Sequence, residues 1–275
     1  MSSYRFCRTD DIGLLVDALN RCWGPHFPDE PPVTAVSFKR TIRDLQVWCS
    51  SCMVAFAGGD PVAVLIGAKR SSATLIHRLA VHPDHVRQGH GRHLLTSLSS
   101  KLAILGPPRL VAEVPESFDA ARALFRASGY IEEALLTDYV QAEGSDPGLT
   151  PFTGLVIPVT VDDLVANGLL ATDHAPWERS AETLIARKGG IEGLAVASDE
   201  RLEACILYIK DEIVLLRTFV EDGGGRLRQL LAGLRPGPLR FPKVHPAEIP
   251  QELLITLGFR PTGRHLLHAA TARSA

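Results

Sequence analysis

Residues 82–95 read HPDHVRQGHGRHLL, and this stretch limits the fold more than any other. The apolar run Leu75 to Val81 enters it, and Leu94, Leu95, Leu98, Leu102 and Leu105 leave it at helical spacing. The order is therefore strand, glycine-rich turn, helix. Glycines admit backbone conformations and close approaches that a side chain forbids. The first turn of a helix presents N–H groups without intrahelical partners, and its dipole favours an anion there. Arg87 and Arg92 add formal positive charge. The stretch reads as a cradle for phosphate or pyrophosphate, and on this reading Gly91→Glu would fill it with a carboxylate.

The chain has 275 residues, which suits two domains better than one. Its 45% hydrophobic and 22% charged residues are those of a folded globular protein. A net charge of −2 gives no reason to expect nucleic acid or an anionic membrane as partner. No apolar run approaches the ~18 residues of a membrane helix, and residues 1–8 lack the apolar core of a signal peptide. The expected location is cytoplasmic. The five cysteines are scattered, so no disulfide framework is expected. Cys49 and Cys52 form a lone CxxC without a second ligand pair, and read as small residues at the start of a strand.

Taken in order, Tyr4 to Arg8 reads as an edge strand, followed by a helix with Ile12, Leu15 and Leu19 on one face. Ser37 to Leu45 reads as a second helix. Residues 53–57, 62–68 and 73–81 form an antiparallel meander, its first turn signalled by Gly58-Gly59-Asp60-Pro61. The helix after the cradle stops at Gly106-Pro107-Pro108. Strand 109–114 follows, then a helix that Ser117 is expected to cap and that ends at Gly129. Residues 130–140 supply the closing strands. Polar residues 141–151, with glycine and proline breakers, read as a linker. The same order then recurs: a strand at 155–159, helices from 161 and over 178–188, strands 193–197, 202–209 and 213–220. A helix after Gly223-Gly224-Gly225, strand 239–241, a helix over 249–257 and a closing strand 264–269 complete it. Gly91 with Gly225, and Gly129 with Gly258, mark equivalent points of the halves, as an internal duplication predicts.

This order, with LAVHPDH before the glycines, LL after them and RALFRASGY at the later helix, resembles the GNAT superfamily of acetyl-CoA-dependent N-acetyltransferases. Gly89 and Gly91 match the small positions of the family signature Gln/Arg-x-x-Gly-x-Gly/Ala, while Val86 stands where Gln or Arg is usual. The resemblance implies an α/β (α+β) protein of two tandem GNAT-like domains, each a mixed, mostly antiparallel sheet flanked by helices. The expected divisions are residues 1–142 with an intact acetyl-CoA loop, a linker at 143–151, and a degenerate copy over 152–275.

The resemblance also implies an activity: transfer of an acetyl group from acetyl-CoA to a primary amine. Main-chain groups of Leu79, Ala80 and Val81 would meet the pantetheine arm. Residues Arg87, Gln88, Gly89, His90, Gly91 and Arg92 would hold the pyrophosphate. Phe118, Ala121 and Phe125 would flank the arm. The thioester would lie where strands 73–81 and 109–114 splay apart. Only a neutral amine attacks, so a base must take the ammonium proton. Glu113, in Ala112-Glu113-Val114, matches a carboxylate some family members use, and His77 is the second candidate, with Arg78 on the opposite strand face.

The family pattern Asn-x-x-Ala-x-x-Leu-Tyr becomes Phe118-Asp119-Ala120-Ala121-Arg122-Ala123-Leu124-Phe125, so the proton-donating Tyr is replaced by Phe125. Tyr139 is the nearest substitute, and a non-catalytic acyl-CoA-binding or scaffold protein, or use of a different acyl-CoA, are the competing readings. Histidines 82, 85, 90 and 93 read as loop residues rather than a metal site. The acceptor would be a small-molecule or peptide amine, and the protein a monomer or homodimer. By position, Trp23, Phe27, Asp29 and Glu30, and Trp177, Glu178 and Arg179 in the second half, resemble the family's substrate-side loop. Glu221 and Asp222 before the second glycine run oppose pyrophosphate there.

Overall fold

The hydrophobic periodicities resolve into two structural units. The computed structural model describes residues 2–141, 154–170, 174–234 and 237–272. By contacts, residues up to Ala134 form one unit together with the segment from Leu266 onward, and Leu135–His265 form the other. The linker expected at 143–151 lies outside the described residues. Both units are mixed sheets, mostly antiparallel, flanked by helices.

The first unit begins with β1 (Ser2–Phe6), α1 (Ile12–Cys22) and α2 (Ala35–Leu45). Thr34 caps α2 through its hydroxyl, with Ser37 returning the bond. The meander is β2 (Met53–Ala57), β3 (Asp60–Lys69) and β4 (Thr74–Val81), with Gly58 and Gly59 both at positive φ in its turn. Then come α3 (His90–Leu105), β5 (Arg109–Pro115), α4 (Asp119–Ala127) and the start of β6 (Ile131–Gln141), which from Leu135 belongs to the second unit. The cap of α4 is Phe118 rather than Ser117. The four α3 leucines 94, 95, 98 and 102 are at most 2% exposed. Burying each contributes about 1.5–3 kcal/mol. They pack on Met53, Leu65, Ile76, Leu110, Ala112 and Val114 of the sheet and on Phe125 of α4.

The second unit runs β7 (Leu155–Pro158), α5 (Val161–Ala166), α6 (Ala181–Arg187), β8 (Glu192–Ala197), β9 (Leu202–Ile209), β10 (Glu212–Thr218), α7 (Gly225–Ala232), β11 (Leu239–Val244), α8 (Gln251–Thr256) and β12 (Phe259–Thr271). Its sheet order is β6-β11-β10-β9-β8-β7. The helix expected over 178–188 is split, a 3-10 turn at Trp177–Arg179 preceding α6, because Ser180 caps α6 through its hydroxyl.

The first unit's sheet order is β1-β2-β3-β4-β5-β12. Two closing strands were expected from residues 130–140. The described residues there form the single strand β6, and the place beside β5 is taken by the end of β12, where Ala272 N–H donates to Pro108 O at 2.5 Å. Structural equivalence of the halves also differs in detail. The two helix N-caps at positive φ are Gly89 and Gly224, so Gly225 corresponds to His90 and not to Gly91.

Candidate functional site

The pairing of β4 decides which main-chain groups are free to meet a ligand. His82 N–H donates to Val62 O, so the pair Val64↔Ala80 exchanges hydrogen bonds with β3, while Leu65↔Leu79 and Ala63↔Val81 do not. The polar groups of Ala80 thus point to β3, and those of Leu79 and Val81 point to the β5 side. There β4 and β5 pair only at Thr74↔Leu110 and Leu75↔Val111. Beyond Leu75 the two strands form a wedge with Leu79 and Val81 along one wall. The Val81 carbonyl accepts from His26 Nε2 at 2.8 Å, which pins the loop after α1 onto this wall.

One residue of β4 is unmatched across from β3. Ile66 pairs with Arg78 and Gly67 with Ile76, so His77 is the extra residue of a bulge. It is half-buried at the wedge apex. Glu113 lies on β5 between Ala112 and Val114, which belong to the core under α3. It therefore faces the opposite side of the sheet, half-buried. Arg78 faces that same side: its guanidinium lies 4.8 Å from the Trp23 ring centroid and 3.5 Å from Glu30.

At the open end of β4 the chain makes a 3-10 turn, Pro83–His85, and then two left-handed residues, Arg87 at φ 65° and Gly89 at φ 84°. Gly89 opens α3, and no side chain caps the helix. The N–H groups of its first turn have no side-chain cap, and Arg87, Gln88 and Arg92 are exposed around them. Gly91 has a different reason. A Cβ there would meet Leu124 Cδ2 of α4 at 2.9 Å. Its missing side chain makes room for a neighbouring helix, so a Gly91→Glu side chain would start into α4 rather than toward an anion.

The His90 ring turns inward. It is 3% exposed, and its Nδ1 lies 2.8 Å from the Tyr4 hydroxyl. Burial first, then His85 and His93, push this imidazole below its ordinary pKa. The His93 ring lies tilted by 32° against Tyr4 with centroids 3.8 Å apart. Among the described residues no group of three or more His, Cys, Asp or Glu is placed to hold a metal. Cys52 is buried, with burial pushing its thiol up, and all five cysteines are free.

Phe118, 39% exposed, meets Phe27 with ring centroids 5.6 Å apart. Ala121 is half-buried against the core. Phe125 is 4% exposed, edge-on to Tyr130 at 5.1 Å and 5.6 Å from the ring of His268. Tyr139 sits in the core of the second unit, opposite Phe241. His268 had no signal in the sequence, because the end of β12 reaches this core only through its place in the first unit. It is fully buried, with Nδ1 3.2 Å from Leu266 O and Nε2 3.6 Å from Glu132 Oε1.

The equivalent cradle in the second unit is filled from within. Asp222 Oδ1 accepts from Gly224 N–H at 3.0 Å, and Oδ2 accepts from Arg226 N–H at 2.7 Å. Arg226 also pairs with Asp222 and with Glu203. Burial pushes the Asp222 carboxyl up, but the Arg226 amide and guanidinium and the Gly224 amide hold it below the usual range. The acid read as repelling an anion is itself the bound anion. Arg179, expected in a substrate-side loop, is 1% exposed and makes a two-pronged pair with Glu248 at 2.6 and 2.8 Å.

Residues 14–130 match the model of the acetyltransferase (GNAT) family. Solved structures share the fold across both units. A tandem GNAT protein from the clavulanic acid biosynthesis pathway is 17% identical, all of each chain being covered, with a TM-score of 0.64. A GCN5-related N-acetyltransferase from Sphaerobacter thermophilus is 13% identical over 99% of this chain and 96% of its own, with a TM-score of 0.66. A GCN5-related N-acetyltransferase from Anabaena variabilis is 12% identical over 99% of this chain and 73% of its own, with a TM-score of 0.67.

Proposed function

From the match of residues 14–130 to the acetyltransferase (GNAT) family and the fold shared with a tandem GNAT protein, we propose that the chain is a tandem GNAT protein whose first unit moves an acetyl group from acetyl-CoA to a primary amine. The observation that carries this reading is the contrast between the two cradles. The α3 N-terminus is uncapped behind a left-handed glycine, while the α7 N-terminus is occupied by Asp222. An anionic ligand gains the free N–H groups and dipole of the first and must displace a charged, hydrogen-bonded carboxylate from the second. One acetyl-CoA per chain follows.

With the pyrophosphate at α3, the arm runs back along Leu79 and Val81, whose main-chain groups face the wedge. The acyl carbon then reaches the apex near His77 and Glu113. Glu113 takes the ammonium proton, directly or through one water, and the neutral amine attacks. The bond from nitrogen to the acetyl carbon forms, the carbon–sulfur bond breaks, and the thiolate leaves, the surplus nitrogen proton passing through water to solvent or to the thiolate. Phe125 has no proton to give it. That observation favours a second reading, an acyl-CoA-binding protein without turnover. We place the activity in the cytoplasm, on a small-molecule or peptide amine, in a monomer or homodimer. Among the described residues no helix is long and apolar enough to cross a membrane.

Isothermal titration with acetyl-CoA and an assay of amine-dependent CoA release test the two readings. The expected result is one binding site and amine-dependent release. Binding without release across a broad amine panel supports the second reading, and no binding refutes both. Glu113→Gln is expected to lower kcat by about 10²-fold or more, the usual range for a lost base, with acetyl-CoA affinity unchanged.

A further inference from the structure

The loop after α1 lies over the wedge on the face opposite α3 and α4. It is held at Val81 by His26 and at Arg78 by Glu30 and Trp23. An acceptor approaching the acyl carbon from that face meets this loop first. Its surface there is aromatic. Trp23 and Phe27 stack with centroids 4.2 Å apart and planes 17° apart, and Phe27 meets Phe118 at the start of α4. Trp23 and Phe27 are half-buried, and Phe118 presents the most open ring.

Glu30 and Arg78 beside these rings pair with each other, while Asp29 of the same loop is exposed. Glu30 accepts from Trp23 Nε1–H at 3.1 Å and lies against the Arg78 guanidinium, so its negative charge is balanced on the spot. The cation site over Trp23 is taken by Arg78 itself. A polycationic acceptor would find the Glu30 carboxylate neutralised, a guanidinium beside it, and Asp29 as the remaining exposed acid of that loop. An aromatic ring finds Phe27 and Phe118 at offset and tilted geometries that extend to a third ring.

Resting on the acetyl-transfer reading, we propose that the acceptor is an arylalkylamine: a primary amine on a short alkyl tether to an aromatic ring. The ring packs against Phe27 and Phe118, and the tether carries the amine to Glu113. Phe118 then serves the acceptor at the mouth of the wedge as well as bordering the arm.

The test compares 2-phenylethylamine with spermidine at fixed acetyl-CoA, reading CoA release. The expected result is kcat/KM at least about tenfold higher for 2-phenylethylamine, the value of one or two aromatic contacts. Phe27→Ala is expected to raise the KM for 2-phenylethylamine by about tenfold, with the calorimetric Kd for acetyl-CoA unchanged. Phe27→Leu, which keeps apolar volume and guards against loss of folding, is expected to recover part of that affinity. Turnover that favours spermidine, an unchanged KM in Phe27→Ala, or no turnover of either amine while acetyl-CoA binds would overturn the proposal and leave acetyl-CoA binding standing. Absence of acetyl-CoA binding would overturn the underlying reading and this proposal with it.

Discussion

Gly91→Ala separates two explanations of the second glycine in the cradle. If the position serves only a ligand, alanine should stabilise the free protein, since Ala exceeds Gly in a helix interior by about 0.8–1 kcal/mol. The structure gives the opposite sign. The added Cβ would lie 2.9 Å from Leu124 Cδ2. Carbon atoms prefer about 3.5–4.0 Å, so Leu124 must retreat by about 0.6–1 Å. Forcing a methyl into a packed contact typically costs about 1–3 kcal/mol. Because position 91 is in the first helical turn, the propensity gain is at its smallest there, and because Leu124 Cδ2 is the end of a half-buried, rotatable side chain, the net expectation is a loss at the low end of that range, about 0.5–1 kcal/mol. Urea unfolding at pH 7.5 measures it as a lower midpoint at unchanged slope. The Leu124→Ala background removes the clashing atoms, and there Gly91→Ala should be neutral or stabilising, a coupling of about 0.5 kcal/mol or more. Equal or greater stability of Gly91→Ala in the parent background would refute the packing argument and return the glycine to the ligand.

Three further outcomes follow from the site. Asp222→Ala removes the internal anion of α7 and should cost about 1–2 kcal/mol, as lost helix caps do. Because the folded carboxyl is held low, its contribution is present above about pH 4 and is lost as pH falls through its folded value. A variant as stable as the parent at pH 7 and at pH 4 would refute the capping role. Burial lowers the His268 pKa, and Glu132, Arg122 and Arg126 are the charges that face it. The unfolded chain therefore binds the proton that the folded chain resists, so stability falls as pH drops below about 6.5. His268→Phe should flatten that slope between pH 7 and pH 5, and an unchanged slope would count against it. Phe125→Tyr restores a hydroxyl at the position of the missing acid. If thiolate departure limits turnover, kcat should rise by about tenfold or more with acetyl-CoA affinity unchanged, and an unchanged kcat would mean the thiolate leaves unassisted.

Local signals in the sequence reach as far as local physics does. The Gly58-Gly59 hairpin, the meander strands and the strand–turn–helix of the cradle are specified by residues that touch one another along the chain. Apolar period and turn chemistry act over a few residues, and they determined most of the element order, including the strand–turn–helix around Gly89, by themselves. The tertiary structure alone decided the rest. Which strand sits beside β5 is a matter of long-range pairing, and no local pattern in residues 130–140 or 264–269 distinguishes β6 from the end of β12. That choice placed His268 beside Phe125. The reason for Gly91 lies in Leu124, on another helix. Asp222 was visible as a charge of the wrong sign, but a carboxylate repels an anion or replaces one according to where its oxygens sit. Only the folded loop, by aiming them at the Gly224 and Arg226 amides, made Asp222 the partner of the α7 N-terminus, while the α3 N-terminus has no side-chain cap.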